Sequence, residues 1–243
     1  MNLNDRNIVI TGGTSGIGRE VVRRLHRHNR VLVIARSAER LGELAEAFPG
    51  VETVQADLAL RADVERAAAA VSDRFARLDL LINNAALQHT PTFIDSGFDT
   101  RSIAVEIDVN LTAVCLLTAL LLPRLLHDGD AAILNVNSGL ALAPKTGSAV
   151  YCATKAAVNV FSQSLRYQLE GTNVRVLQAF MPLVDTGMTQ GRGAGKMSAG
   201  DAADAMIRGI ESGIEDHDIG RIRLLRALLR VAPSLARRKM KAA

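Results

Sequence analysis

The β-branched run NIVIT (7–11) passes directly into TGGTSGIG (11–18), and the chain then continues into a segment of helical length. Strand, glycine loop and helix in that order leave few folds open. Gly12 permits a tight turn, Gly16 allows close backbone approach to an anion, and Gly18 allows the helix to pack closely. The helix N-terminus then presents unpaired N–H groups, which suit a pyrophosphate. An ordinary glycine turn would carry the same letters. Its place after the first strand and before the first helix points instead to dinucleotide binding.

Further runs have the make-up of buried strands: RVLVIA (30–35), VETVQA (51–56), LDLLIN (78–83), AAILNVN (131–137) and NVRVLQAF (173–180). Helix-length segments such as Ser37 to Phe48 and Arg61 to Phe75 separate them. The alternation predicts an α/β chain with a Rossmann-type, doubly wound, mostly parallel sheet and helices on both faces. With 243 residues, 48% of them hydrophobic, one dinucleotide-binding domain over 1–243 is expected. The segment TGMTQGRGAGKMSAG (186–200) breaks the rhythm and is expected to be a mobile substrate loop.

Ligands of such sheets lie beyond the carboxyl ends of the strands. The second strand ends in Ala35, Arg36 and Ser37, with no acid to hold a ribose 2′-hydroxyl or repel a 2′-phosphate. Arg36 can pair with that phosphate and Ser37 can add a hydrogen bond, so NADP(H) is expected over NAD(H); a solvated Arg36 at a helix start is the plainer alternative. Asp57 and Leu58 after the third strand are placed to meet the adenine. Asn83, Asn84 and Ala85, which end the fourth, are placed for amide and backbone contacts.

YCATK (151–155) sets one of two tyrosines four residues before one of five lysines, on one helical face. A nearby ammonium favours phenolate, and bringing a tyrosine from about 10 to near 7 takes about 4 kcal/mol. Such a phenol exchanges a proton with a substrate oxygen. Ser138, after the fifth strand, is placed to hold a carbonyl oxygen beside Tyr151. Asn110, inside IDVNLTAVCLL, either bonds locally to backbone or positions water near Lys155.

Together the glycine loop, NNA (83–85), Asn110, Ser138 and YCATK resemble the short-chain dehydrogenase/reductase family over nearly the whole chain. The stretch NSGLALAPKTGSAVYCATKAAVNVFSQSLRYQL with MPLVDTGMT resembles its DltE-type branch. The resemblance implies that Tyr151 is the acid/base, Lys155 lowers its pKa and holds the nicotinamide ribose, Ser138 binds the substrate oxygen and Asn110 completes a proton relay. It implies a cofactor set of Gly12, Thr14, Ser15, Gly16, Ile17, Gly18, Arg36, Ser37, Asp57, Leu58, Asn84, Ala85, Tyr151, Lys155, Pro182, Val184 and Thr186. It also implies a small carbonyl or alcohol substrate and a homodimer or homotetramer. Ala86 and Leu183 stand where many members have glycine. A non-catalytic dinucleotide-dependent binding protein is the competing function; the intact Ser138, Tyr151 and Lys155 set argues against it.

Leu87, Leu142, Met181 and Met188 are expected either to wall the substrate or to pack in the core, and loop residue His89 either reaches the mouth or is solvated. Five dispersed histidines lack ligand spacing, so no catalytic metal is expected. The uncharged apolar stretch Leu111 to Pro123 is shorter than the about 20 residues of a membrane span and suggests a core helix. Neither a secretory leader nor a disulfide framework is indicated, and a cytoplasmic protein is expected. The basic segment 221–243 carries +8, leaving −4 elsewhere, which disfavours general nucleic-acid binding. With arginines on one helical face and leucines on the other, that segment suits subunit or core packing, or an anionic membrane surface.

Overall fold

The computed structural model describes residues 1–241; the last two residues of the basic segment lie outside the described residues. Six strands follow the sequence reading closely: β1 (Asn7–Thr11), β2 (Arg30–Ala35), β3 (Glu52–Gln55), β4 (Leu80–Asn83), β5 (Ala131–Ser138) and β6 (Val174–Met181). They form a parallel sheet in the order β3-β2-β1-β4-β5-β6, extended at the β6 edge by a short strand, Asp216–Asp218. The chain winds outward from β1 through β2 to β3, then returns to β4 on the other side of β1. The fold is therefore doubly wound, with its switch point between β1 and β4.

Helices cover both faces, so the central strands read as unbroken apolar runs. Ile8 and Ile10 of β1 face α1 (Gly16–Leu25) and α2 (Ala38–Ala47), where they pack with Val22 and Leu44. Val9, one residue out of phase, joins Val71 of α3 (Arg61–Arg74) on the other face. There α4 (Arg101–Ile107) continues through one π turn (Asp108–Thr112) into α5 (Ala113–Leu125). The helical run Arg101–Leu125 is long and apolar enough to cross a membrane by length and composition. In this fold Leu117, Leu121 and Leu125 of that run are buried against the sheet, each contributing roughly 1.5–3 kcal/mol.

After β5, α6 (Ala149–Gln168) supplies the helix of the YCATK segment. Beyond β6, the two-residue strands β7 (Val184–Asp185) and β8 (Met197–Ser198) pair in parallel and bracket the glycine-rich segment. The order then runs α7 (Ala199–Glu211), β9 (Asp216–Asp218), α8 (Ile222–Val231) and α9 (Pro233–Lys241). Pro233 opens α9, where a missing N–H costs no helical bond. α8 and α9 fold back on the chain: Ile222 and Ala236 are buried, and the Thr146 N–H and hydroxyl both donate to the Lys241 carbonyl.

Candidate active site

The loop between β1 and α1 is held from beneath by the loop after β4. Thr11 Oγ1 accepts from the Asn84 and Ala85 N–H groups at 3.0 Å, and Asn84 Nδ2 donates to the Thr11 and Gly12 carbonyls at 3.0 Å. The Asn84 side chain is therefore occupied by the glycine loop, where the sequence suggested an amide contact to a ligand. Gly12 has φ +68° and lies so near Ala85 that a Cβ would come within 2.9 Å of the Ala85 Cα. Gly16, at φ +52°, opens α1 and faces Thr186. A Cβ on Gly18 would fall 2.3 Å from the Gly12 carbonyl oxygen, so this glycine seats the helix on its own loop. No acid lies in the first turn of α1, leaving its positive end unneutralised.

A cleft of about 690 Å³ runs along the carboxyl ends of the strands from this loop. Thr14, Ser15, Ile17, Arg36, Ser37, Asp57 and Leu58 line one end. Arg36 is exposed and its guanidinium has no hydrogen-bond or ion-pair partner among the described residues, while Ser37 caps α2 by accepting from the Arg40 N–H. Arg40 also lines this end and was missed by the sequence reading. Its signal was an arginine in the first turn after the Ser37 cap. Asp57 fixes the start of α3 through its N–H to Asp63 and its carboxylate to the Ala59 N–H. The residues present fit an NAD(P) dinucleotide: a glycine cradle that side chains would fill, a free helix end and basic groups at the far end.

The other end of the cleft gathers Ser138, Tyr151 and Lys155. Ser138 is the last residue of β5; its N–H bonds to Asn137 Oδ1 and its Oγ accepts from the Leu140 N–H. Lys155 is buried, donates from Nζ to the Val136 carbonyl at 2.9 Å and lies 5.7 Å from the Tyr151 ring centroid. Burial pushes the Tyr151 phenol up to about 12, against the opposing pull of the Ser138 hydroxyl. The same cause pushes Lys155 down to about 8. The sequence reading expected the Lys155 ammonium to lower the phenol; here the groups that pull it down are the Ser138 hydroxyl and Arg192, and desolvation of the phenolate outweighs them.

Asn110 sits in the π turn, fully buried. Its Oδ1 accepts from the Leu87 N–H, and its Nδ2 donates to the Leu87 carbonyl and to Thr154 Oγ1. The side chain bonds to backbone, as one reading had it, but at long range: it ties the loop after β4 to α6. That joins the cofactor side of the cleft to the helix carrying Tyr151 and Lys155.

Residues 6–196 match the family model for short chain dehydrogenase. The chain belongs to the short-chain dehydrogenase family. It is an NAD(P)-dependent oxidoreductase by that membership. The uncharacterized oxidoreductase DltE of Bacillus subtilis is 39% identical over 194 residues, 78% of this chain and 76% of that protein. A short chain dehydrogenase from Burkholderia cenocepacia, solved in complex with NADP, superposes with a TM-score of 0.89 at 25% identity over 100% of both chains. One from Sphingobium yanoikuyae, in complex with NADPH, gives 0.82 at 28% identity, covering 95% of this chain and 94% of the other.

Within this short-chain dehydrogenase, Pro182, Val184 and Thr186 follow β6 along the cleft, and Thr186 caps a short turn by accepting from the Thr189 N–H. Leu183 and Ala86 also line it. The Leu183 side chain nests on Gly193, where a Cβ would come within 2.5 Å of it. Of the expected substrate wall, Leu87, Met181 and Met188 reach the cleft and Leu142 does not; Leu140, Ile222 and Met240 take part instead. His89 is drawn to Glu106, which accepts from its N–H at 2.8 Å and lies 3.6 Å from its Nδ1. Lys145 and Arg192 also line this end, and the sequence reading missed both.

Proposed function

We propose that this enzyme prefers NADP(H) and reduces a carbonyl to an alcohol, with Tyr151 as proton donor and Ser138 as the hydroxyl that holds the substrate oxygen. The observation that carries the reading is the convergence of Ser138, Tyr151 and Lys155 on one end of a cleft whose other end suits a dinucleotide. The bound nicotinamide would supply the hydride. The glycine loop and the start of α1 would hold the pyrophosphate, and Arg36, Ser37 and Arg40 a 2′-phosphate. Lys155 would orient the nicotinamide ribose and replenish the phenol proton. A phenol near 12 keeps its proton throughout the neutral range and so has one to donate to a carbonyl oxygen. Spectrophotometric oxidation of NADPH and NADH across a panel of aldehydes and ketones tests the reading. Reduction with NADPH is the expected outcome, and cofactor binding without turnover of any carbonyl would return the chain to the binding-protein alternative.

Removing one charge-assisted contact to a phosphate costs about 1.5–3 kcal/mol, or roughly 10- to 100-fold. Arg36→Ala should therefore raise the Kd for NADPH by about tenfold or more and leave that for NADH nearly unchanged. Fluorescence titration of both cofactors reads this directly; equal losses for the two would reject the Arg36 assignment.

The pH dependence follows from Lys155. Its ammonium is present below about 8 and lost above it, so kcat/KM for reduction should fall on the alkaline side with an apparent pKa near 8. A profile flat to a pH of about 10 would remove the Lys155 charge from the rate.

A further inference from the structure

Several half-buried cations of this protein are paired with acids. Arg24 meets Glu20 and Asp204, Arg166 meets Asp216, Arg226 meets Asp218 and Lys196 meets Asp185. Lys145 and Arg192 are not, and unlike Arg19 and Arg124, which also form no ion pair among the described residues, they share one cleft. Both line the substrate end of the cleft, and among the described residues neither forms an ion pair. Lys145 has no hydrogen-bond acceptor for its ammonium among the described residues. Its charge is disfavoured first by burial and then by Arg192, so the two cations that share this cleft lie within electrostatic reach of each other. Arg192 also lies within electrostatic reach of Tyr151. Glu106, an acid within electrostatic reach of Tyr151, is taken up by His89.

Arg192 is held in place. Its Nη1 donates to Gln88 Oε1 at 2.7 Å, its Nη2 donates to the Met188 carbonyl, and Gln88 Nε2 donates in turn to Ser148 Oγ. A guanidinium has five N–H donors, so several remain for a ligand. Two like charges in a partly desolvated cleft without a counter-ion repel each other, and an anion bound between them relieves that repulsion. Carboxylates and sulfonates offer acceptors that match a guanidinium and an ammonium together. The surrounding wall of Leu87, Leu140, Met181, Met188 and Ile222 suits a short apolar spacer.

We propose that Lys145 and Arg192 form an anion subsite that selects small aldehydes or ketones bearing a carboxylate or sulfonate. The assignment rests on the reading above, in which the carbonyl is reduced at Tyr151. The anionic group binds toward Lys145 and Arg192 while the carbonyl oxygen meets Ser138 and Tyr151.

The test compares NADPH-dependent reduction of succinic semialdehyde with that of its methyl ester, in the intact protein and in Lys145→Gln and Arg192→Gln. The acid should be preferred, and each substitution should reduce the acid-to-ester ratio of kcat/KM by about tenfold or more. In parallel, butyrate and butyramide are titrated calorimetrically into the NADP-saturated protein. Butyrate should bind more tightly than butyramide, and each substitution should remove most of that difference. Equal binding of acid and amide overturns the subsite whether or not any carbonyl turns over. Turnover of both substrates with a ratio near one overturns it while leaving the reductase reading intact. Discriminating binding without turnover would support the subsite and reject that reading. If the substitutions weaken NADPH and leave acid-to-ester selectivity unchanged, the two cations serve the cofactor and the proposal fails.

Discussion

Tyr151→Phe is expected to lower kcat for carbonyl reduction by about 10²–10⁴-fold, the range removed with a positioned general acid. The ring is buried and would keep its packing, and only the hydroxyl beside Ser138 is lost. NADPH affinity should change little, because the glycine loop and the Arg36 end of the cleft are untouched. Steady-state kinetics beside an NADPH titration separate the two effects. Retained turnover would take the proton-donor role from Tyr151, and a parallel loss of cofactor binding would make the residue structural. Ser138→Ala should show a smaller loss with the same separation, since it removes a hydroxyl that positions the oxygen and leaves the donor in place.

Gly18→Ala should be the most damaging small substitution in the cofactor half. The new methyl would sit 2.3 Å from the Gly12 carbonyl oxygen and 2.6 Å from Asn84 Nδ2. Neither neighbour is the far end of a flexible chain: one is backbone, and the other is bonded to the Thr11 and Gly12 carbonyls. α1 must then lift from its loop, at a cost of roughly 1–3 kcal/mol for overpacking. The helix end leaves the pyrophosphate position at the same time. Thermal unfolding should show a lower Tm, with a much smaller rise on adding NADPH than in the unsubstituted protein. Gly42→Ala is the matched control: it lies within α2 with nothing within 4 Å of its added methyl, and should be neutral or stabilising by about 0.5–1 kcal/mol. If the two alanines behave alike, the close packing at Gly18 does not govern binding.

The strand at Asp216–Asp218 illustrates what patterning misses. Its three residues, Asp, His and Asp, have neither alternation nor β-branched side chains, and no sequence rule would make them a strand. They pair with β6 because Gln178 and Arg166 both donate to the Asp216 carboxylate and Arg226 grips Asp218 with two bonds. Each of those partners comes from a different element. Ser138 and Met181, by contrast, were misplaced only by a residue, at strand ends, where side-chain pattern fixes a boundary less closely than hydrogen bonding does.

The sequence by itself determined the order of strands and helices, the glycine loop and the pairing of Tyr151 with Lys155. Each of these is a local property, carried by a period of two or of 3.6 residues, or by spacing within one helical turn. Only the tertiary structure decided which way the Tyr151 and Lys155 pKa values move, because burial comes from β5, α6 and the loops around them rather than from neighbours in the chain. It alone decided that Asn84 serves the glycine loop, that Asn110 clamps Leu87, and that Ile222 and Met240 come back to the cleft mouth. It alone placed Lys145 and Arg192 together, since an electrostatic field depends on distances in space that chain separation does not encode.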